Sequence, residues 1–386
     1  MVLNNVTLVD SNDPVNVQIS RDKIVGVFDT PIKNQVDALQ LTFDDALIFP
    51  GLVNSHDHLD FNLFPQLGNK IYSSYTEWGK YIHENYKEEI AKVLKVPIEL
   101  REQWGIIKNM ICGVTTVVNH GERLKTRDTL INVYEQYYCL HSVQFEKKWK
   151  LKLNNPLKTK LPVVIHIGEG RDKAAYKEID QLIYWNLLHK TLVGIHAVAM
   201  SDEQAKKFTA VVWCPQSNYF LLDKTARIKQ LKNYTPILFG TDSTLTGNWD
   251  IWDHISLARK TEMLTDAELY KSLNINASAI WNTSGSEIKK NNDADIVITT
   301  KKDNHNGLDA FFSTEPKDIL LVLHKGNIRM FDATLYAQLT QTDLSGFSKI
   351  YIEGVCKFID GDIPLLIKNI RKFYPEANFP VTTDEC

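Results

Sequence analysis

The chain has 386 residues, 44% hydrophobic and 24% charged, with a formal net charge of −3. That is the composition of an ordinary folded protein, and the length suits two or three structural units, or one barrel of about 250 residues with additions. The acidic balance argues against nucleic acid as a partner, and no apolar run approaches the ~20 residues of a membrane-spanning helix.

The opening stretch, MVLNNVTLVDSNDPV, has neither the basic start nor the long apolar run of a signal peptide, so a cytoplasmic protein is expected. Five cysteines (Cys112, Cys139, Cys214, Cys356 and Cys386) are scattered, with no C-x-x-C pair, and read as reduced thiols.

In chain order, the first fifty residues look all-β: 15–19 and 24–28 read as two strands around a polar turn. The same device recurs late, at 319–326 with 327–331 and at 349–354 with 355–359. Neither end supplies enough hairpins to bury a core alone, so one small sheet domain assembled from both termini is expected, with a helix over 364–373 against it. From about Pro50 the pattern changes to short apolar runs alternating with longer amphipathic segments, as repeated βα units require. Strands are predicted at 46–53, 114–118, 162–166, 191–196, 210–214 and 236–240. Helices are predicted over 76–94, 97–111, 127–137, 173–189, 201–208 and 250–261. Ser201-Asp-Glu-Gln204 has the form of a capping box. Only one further strand, 139–145, is visible between 119 and 162, so a (β/α)8 barrel would be distorted there or short of one unit.

Four of these strands end in residues able to bind metal or move protons. The first gives His56-Asp57-His58, whose i and i+2 side chains share a face of an extended segment. The others end in His166-Ile-Gly-Glu169, in His196 and in Gly240-Thr-Asp242-Ser243. A lone histidine on an apolar strand is more often a satisfied core residue, and a GTDS is often only a turn. Here all four lie at strand ends, and in a parallel barrel those ends surround one mouth. Imidazoles with a carboxylate suit Zn²⁺ or a similar divalent ion, which lowers the pKa of bound water towards ~7.

PGLVNSHDHLD (50–60), GVTTVVNHG (113–121), VVIHIGEG (163–170), GIHAVAMSDEQ (194–204), CPQSN (214–218) and FGTDS (239–243) resemble the successive strand-end motifs of the amidohydrolase superfamily. NASAIW (276–281) and DADIVIT (293–299) resemble that family's closing helix and its return to the terminal sheet. The H-x-x-E motif is closest to the deaminase and chlorohydrolase branch. The resemblance implies an α/β fold: a TIM-like barrel over 50–288, beside a β-sandwich composed of 1–49 and 289–386. It implies one divalent metal, zinc with iron or manganese as alternatives, held by His56, His58, His166 and Asp242. Glu169 would shuttle protons, His196 would hydrogen-bond the attacking hydroxide or substrate oxygen, and Asp242 would also act as base. Two-metal members carry a modified lysine on the fourth strand; here Lys147, Lys148, Lys150 and Lys152 read as a solvated edge, which favours one ion.

Three further residues are candidates for substrate contact. His120 is a pocket residue or a turn residue, Asn218 is expected at the rim, and Trp78 is a stacking ring or helix packing. Trp249 and Trp252 read as lid or core, and His141 is left open. His83, His189, His254, His305 and His324 lack convergent partners in sequence. The function expected is hydrolytic deamination of a small ring amine, a small-molecule substrate with neither nucleic acid nor membrane as partner. The alternatives are hydrolysis of a cyclic amide on the same site, or a non-catalytic scaffold relative. The resemblance leaves a homodimer open.

Overall fold

The computed structural model describes residues 1–11, 13–32, 38–126, 129–302 and 307–383; Cys386 and His305 lie outside them. Strands β1 (Val2–Leu8), β2 (Pro14–Ser20), β3 (Lys23–Phe28) and β4 (Gln40–Pro50) come first. A run of short strands follows: β5 (Leu52–Asp57), β6 (Val114–Asn119), β7 (Asn132–Tyr134), β8 (Tyr138–Ser142), β9 (Val163–Ile167), β10 (Leu192–His196), β11 (Ala210–Trp213) and β12 (Ile237–Phe239). Strands β13 (Ile296–Thr300), β14 (Ile319–His324), β15 (Asn327–Asp332), β16 (Phe347–Ile352), β17 (Val355–Asp360) and β18 (Val381–Thr382) complete the order.

The first four and last six strands hydrogen-bond as one ten-stranded sheet, in the order β18-β16-β17-β15-β14-β13-β4-β1-β2-β3. The two ends of the chain join where β4 runs antiparallel to β13, with Ile296 opposite Pro50 and Thr300 opposite Ala46. Alternation along these strands divides them between two cores. Ile48, Ile296, Ile298 and Leu321 enter one cluster with Leu3 and Val17, whereas Phe49, Val297 and Val322 enter another with residues of the parallel sheets. Helix Ile363–Phe373 buries Ile363, Leu366, Ile367 and Ile370.

The middle strands form two parallel sheets, a five-stranded one ordered β12-β11-β10-β9-β8 and a three-stranded one ordered β5-β6-β7. Their near-continuous burial matches the apolar runs of the sequence. At one seam the amides of Thr241 and Asp242, just past β12, donate to the carbonyl of His56 on β5 at 3.1 and 3.0 Å. Asn54 fastens the same seam by accepting from the Thr241 amide and donating to its hydroxyl. At the other seam, residues 135–137 alone separate β7 from β8, too few for a helix. One extended run therefore pairs first with β6 and then with β9.

The helix predicted over 127–137 is corrected by β7. Leu130, Val133, Tyr134 and Tyr137 have helical spacing, but the aromatic and β-branched content of 132–138 favours extended chain, and Tyr134 and Tyr137 stack with ring centroids 6.4 Å apart. The strand predicted over 139–145 stops at Ser142. The shortened middle of the chain thus lacks a regular βα unit, and its described helix between β8 and β9 is only Trp149–Leu153, with a single 3-10 turn at Pro156–Lys158. The predicted helix 76–94 is broken at Tyr86 into Tyr75–Asn85 and Lys87–Leu94. Ser201 and Gln204 make the expected capping box. Among the described residues no helix is long and apolar enough to cross a membrane.

Candidate metal centre and cavity

Strand ends aim the polar residues at one point. His56 leaves β5 fully buried, and His58 follows one residue after the strand. Three other strands end in backbone with positive φ: Gly168 (63°) after β9, His196 (69°) at the end of β10 and Asp242 (59°) after β12. Such conformations are uncommon for residues other than glycine and tend to occur where a site re-aims a side chain. Here each turns the chain sharply as it leaves its strand.

The Nε2 atom of His166 lies 3.3 Å from both His56 Nε2 and His58 Nε2. Asp242 Oδ1 lies 3.6 Å from His56 Nε2 and 3.7 Å from His58 Nε2. Neighbouring donors about 2.05 Å from a tetrahedral ion would be about 3.3 Å apart, so these four spacings are of the size zinc-like ligation needs, and the described residues offer two such clusters, His56 with His58 and His166, and His56 with His196 and Asp242. The chemistry fits as well. Burial, then the neighbouring His56, pushes the His58 pKa down to about 4, so its ring is a neutral lone-pair donor at neutral pH. Burial likewise holds His166 well below its ordinary range. Burial works to raise the Asp242 carboxyl, but His56, His58 and His196 keep it well below the usual carboxylate range. His166 Nδ1 faces the carbonyl of His141 at 2.9 Å, which can only accept, so the ring proton sits on Nδ1 and Nε2 is free to ligate.

Glu169 is buried beside this group, with Oε2 3.6 Å from His196 Nε2. Burial, followed by the charge of Asp242, raises its pKa well above the ordinary value, which favours the protonated carboxyl. His196 is neutral, its pKa lowered by burial to about 3. Ser217 and Thr246 donate to Asp242 Oδ2 at 2.8 and 2.9 Å and fix its orientation.

The substrate contacts expected from sequence fall differently. Trp78 lines the cavity above the centre, its indole N–H committed to the Leu67 carbonyl at 2.7 Å. Asn218 is not at the rim: it is fully buried in helix Pro215–Leu222, and its amide lies 3.0 Å from His196 Nδ1. His120 is buried and not on the cavity wall; its ring is 4.3 Å from that of His166, and its Nε2 is 3.5 Å from Cys139 Sγ. His141, left open by sequence, lines the cavity, as does His83. His254 is buried against the Asn248 carbonyl, His324 pairs with Asp295, and His189 is exposed. Trp252 is core and bonds the Cys112 carbonyl; Trp249 is half-buried.

Two supports escaped sequence reasoning. Asp57, between the two histidines, accepts from Lys108 Nζ at 2.8 Å, Asn109 at 2.7 Å and Asn62 at 2.8 Å, all buried. Glu178 accepts from the amide of Gly168 at 2.7 Å and so pins the turn that presents Glu169. Charged residues on apolar helix faces, Lys108 and Glu178, were the available signal.

The cavity above the centre has a volume of about 590 Å³. Its floor is His58, His166, Glu169, His196 and Asp242, and its walls are mainly aromatic and aliphatic, with Phe61, Phe64, Tyr75, Phe145, Ile90 and Leu245 prominent.

No family model and no curated protein matches the chain. Solved structures do. An adenosine deaminase from Xanthomonas campestris with bound zinc is 14% identical, covers 97% of this chain and 98% of its own, and has a TM-score of 0.67. A zinc complex of atrazine chlorohydrolase from Arthrobacter aurescens is also 14% identical, with 97% and 100% covered and a TM-score of 0.69. An aminofutalosine deaminase from Helicobacter pylori in complex with methylthio-coformycin is 14% identical over 85% of this chain and 99% of its own, with a TM-score of 0.60. The likeness is one of fold and runs over nearly the whole chain, in agreement with the resemblance carried by the strand-end motifs.

Proposed function

We propose that this chain, sharing the fold of zinc-bearing deaminases and a chlorohydrolase, is a metal-dependent hydrolase that removes an amino group from a small ring amine. The observation that carries the reading is the convergence of three imidazole Nε2 atoms and the Asp242 carboxylate, with neighbouring donors 3.3–3.7 Å apart, at the floor of a largely apolar cavity.

His56, His58, His166 and Asp242 would hold one divalent ion, and the nitrogen and oxygen donor set favours zinc. Such an ion, when bound, supplies hydroxide at neutral pH by lowering the pKa of water. Glu169, whose burial favours the protonated carboxyl, donates a proton to the departing nitrogen and accepts one from the attacking water in turn. His196 donates a hydrogen bond to the oxygen that gains charge, and Asp242 serves as base beside it. The lysines 147, 148, 150 and 152 lie on and around a short surface helix rather than on a strand, which supports a single ion.

The largely apolar walls suit a neutral ring that carries an apolar substituent, with Thr76, Lys80, His83 and His141 as the polar groups away from the floor. The two parallel sheets are read together as one TIM-like barrel over 50–288, with the flanking stretches 1–49 and 289–386 as its β-sandwich companion.

The test is ammonia release by zinc-loaded protein across purines, pyrimidines, triazines and cyclic amides, with elemental analysis of protein purified without chelator. Ammonia from ring amines with about one ion per chain supports the reading. Ring opening of cyclic amides without ammonia replaces it, and protein that takes up no metal ends it.

A further inference from the structure

His56 belongs to two overlapping groups of possible metal donors, one completed by His58 and His166 and the other by His196 and Asp242. Distance does not say whether His196 offers the centre a lone pair or an N–H. The hydrogen bonds behind it do.

The chain of contacts starts at Trp213 on β11, fully buried, whose indole Nε1 can only donate; it lies 2.7 Å from Thr225 Oγ1. Thr225 Oγ1 therefore accepts there, and its own hydrogen points to Asn218 Oδ1 at 3.2 Å. With its oxygen so engaged, the Asn218 amide turns its NH₂ towards His196 Nδ1, 3.0 Å away. A ring nitrogen that accepts carries the lone pair, so in neutral His196 the proton sits on Nε2, the atom that faces Glu169. The opposite amide orientation would strand the Thr225 hydroxyl hydrogen, because among the described residues Asn218 Oδ1 is the one acceptor it reaches. All four residues are buried.

His166 makes the contrast. Its ring is stacked on that of His196 with centroids 5.4 Å apart and planes 18° apart, yet its Nδ1 faces a carbonyl and so takes the other tautomer. Two nearly parallel imidazoles are thus set in opposite senses by what lies behind them.

We infer that Trp213, Thr225 and Asn218 are positioning residues that lock His196 as a hydrogen-bond donor towards the reacting oxygen and keep it out of the metal's ligand set. The role of the donated bond rests on the function proposed above; the tautomer does not.

The experiment uses the full chain with ¹⁵N-labelled histidine, metal-free and zinc-loaded, with His196 assigned by its loss in His196→Gln. Long-range nitrogen–proton correlations are expected to show His196 protonated on Nε2 in both forms. In Asn218→Asp the carboxylate accepts from Nδ1, so the tautomer inverts. Thr225→Val loosens the amide and is expected to lower kcat on a substrate found in the panel by about 10- to 100-fold, with KM and zinc content held, while Thr225→Ser restores it. A wild-type His196 protonated on Nδ1, or an Asn218→Asp variant with unchanged tautomer and kcat, overturns the inference. If no compound is turned over, the proposed function fails while the nitrogen spectra still decide the tautomer.

Discussion

Lys108 Nζ lies 2.8 Å from Asp57 Oδ2, and both side chains are shielded from solvent. The pair joins helix Ile98–Ile111 to the residue between the two histidines that end β5, so the H-x-H segment is held from behind by a charge. Removing one member of such a pair leaves the other unpaired in the interior. Lys108→Met is expected to cost about 3–5 kcal/mol in urea unfolding, part of it recovered by adding Asp57→Asn. A loss below about 1 kcal/mol, the range of exposed pairs, would show the pair to be dispensable.

The proposed ligand and proton-transfer residues are expected to separate by metal content. His166→Ala is expected to lose zinc and turnover together. Glu169→Gln keeps its zinc and loses about 10²–10⁴ in kcat, because it retains shape but carries no transferable proton. Elemental analysis beside steady-state rates checks this; a zinc-free Glu169→Gln protein would make Glu169 part of the ligand shell instead.

Gly240 allows β12 to press against β5. A Cβ there would lie 2.8 Å from His56 Cβ and 2.9 Å from Val212 Cγ1, neither at the end of a flexible chain. Gly240→Ala is expected to destabilise by about 1–3 kcal/mol and to weaken zinc binding by displacing His56. A zinc titration equal to wild type refutes the second half of that expectation.

Asp250 gives the pH dependence a definite sign. Burial pushes its carboxyl up to about 7 from an ordinary 3.8, while it caps helix Ile251–Lys260 by accepting from the Trp252 amide at 2.9 Å. Between those two values the unfolded chain has released this proton and the folded chain still holds it, so stability from this group falls as pH rises through the window. Asp250→Asn keeps an acceptor for the cap and removes the titration. The variant is expected to gain over wild type progressively from pH 4 to pH 7 in thermal melts, and a gain that shrinks with rising pH contradicts the assignment.

The convergence of polar side chains was legible because they sit in short motifs at apolar strand ends: His56, His58, His166, Glu169, His196 and Asp242 were each readable from their neighbours, and the fold brings them together. What stayed hidden depends on residues distant in sequence. Lys108 finds Asp57 across 51 positions, and nothing local marks it as a partner. Asn218 is a polar residue near a strand end, which resembles a rim contact until the fold puts Thr225 and Trp213 behind it. The β7 region misled because four apolar and aromatic residues with helical spacing also fit an extended chain with a bend. In the fold at large, alternating βα texture and terminal hairpins were readable, but the direct passage from β7 to β8 was not.

The pairing of β4 with β13 bears on how the molecule is made. During synthesis β4 emerges long before its antiparallel neighbour exists, and the entire segment with the candidate metal centre is produced in between. Its free edge, with Leu47, Ile48 and Phe49 destined for burial on both faces, must be shielded until β13 arrives. Such distant pairing makes late sheet closure the slow stage of assembly. Truncated or stalled chains would then be the species most prone to aggregate, however well their strand-end motifs are preserved.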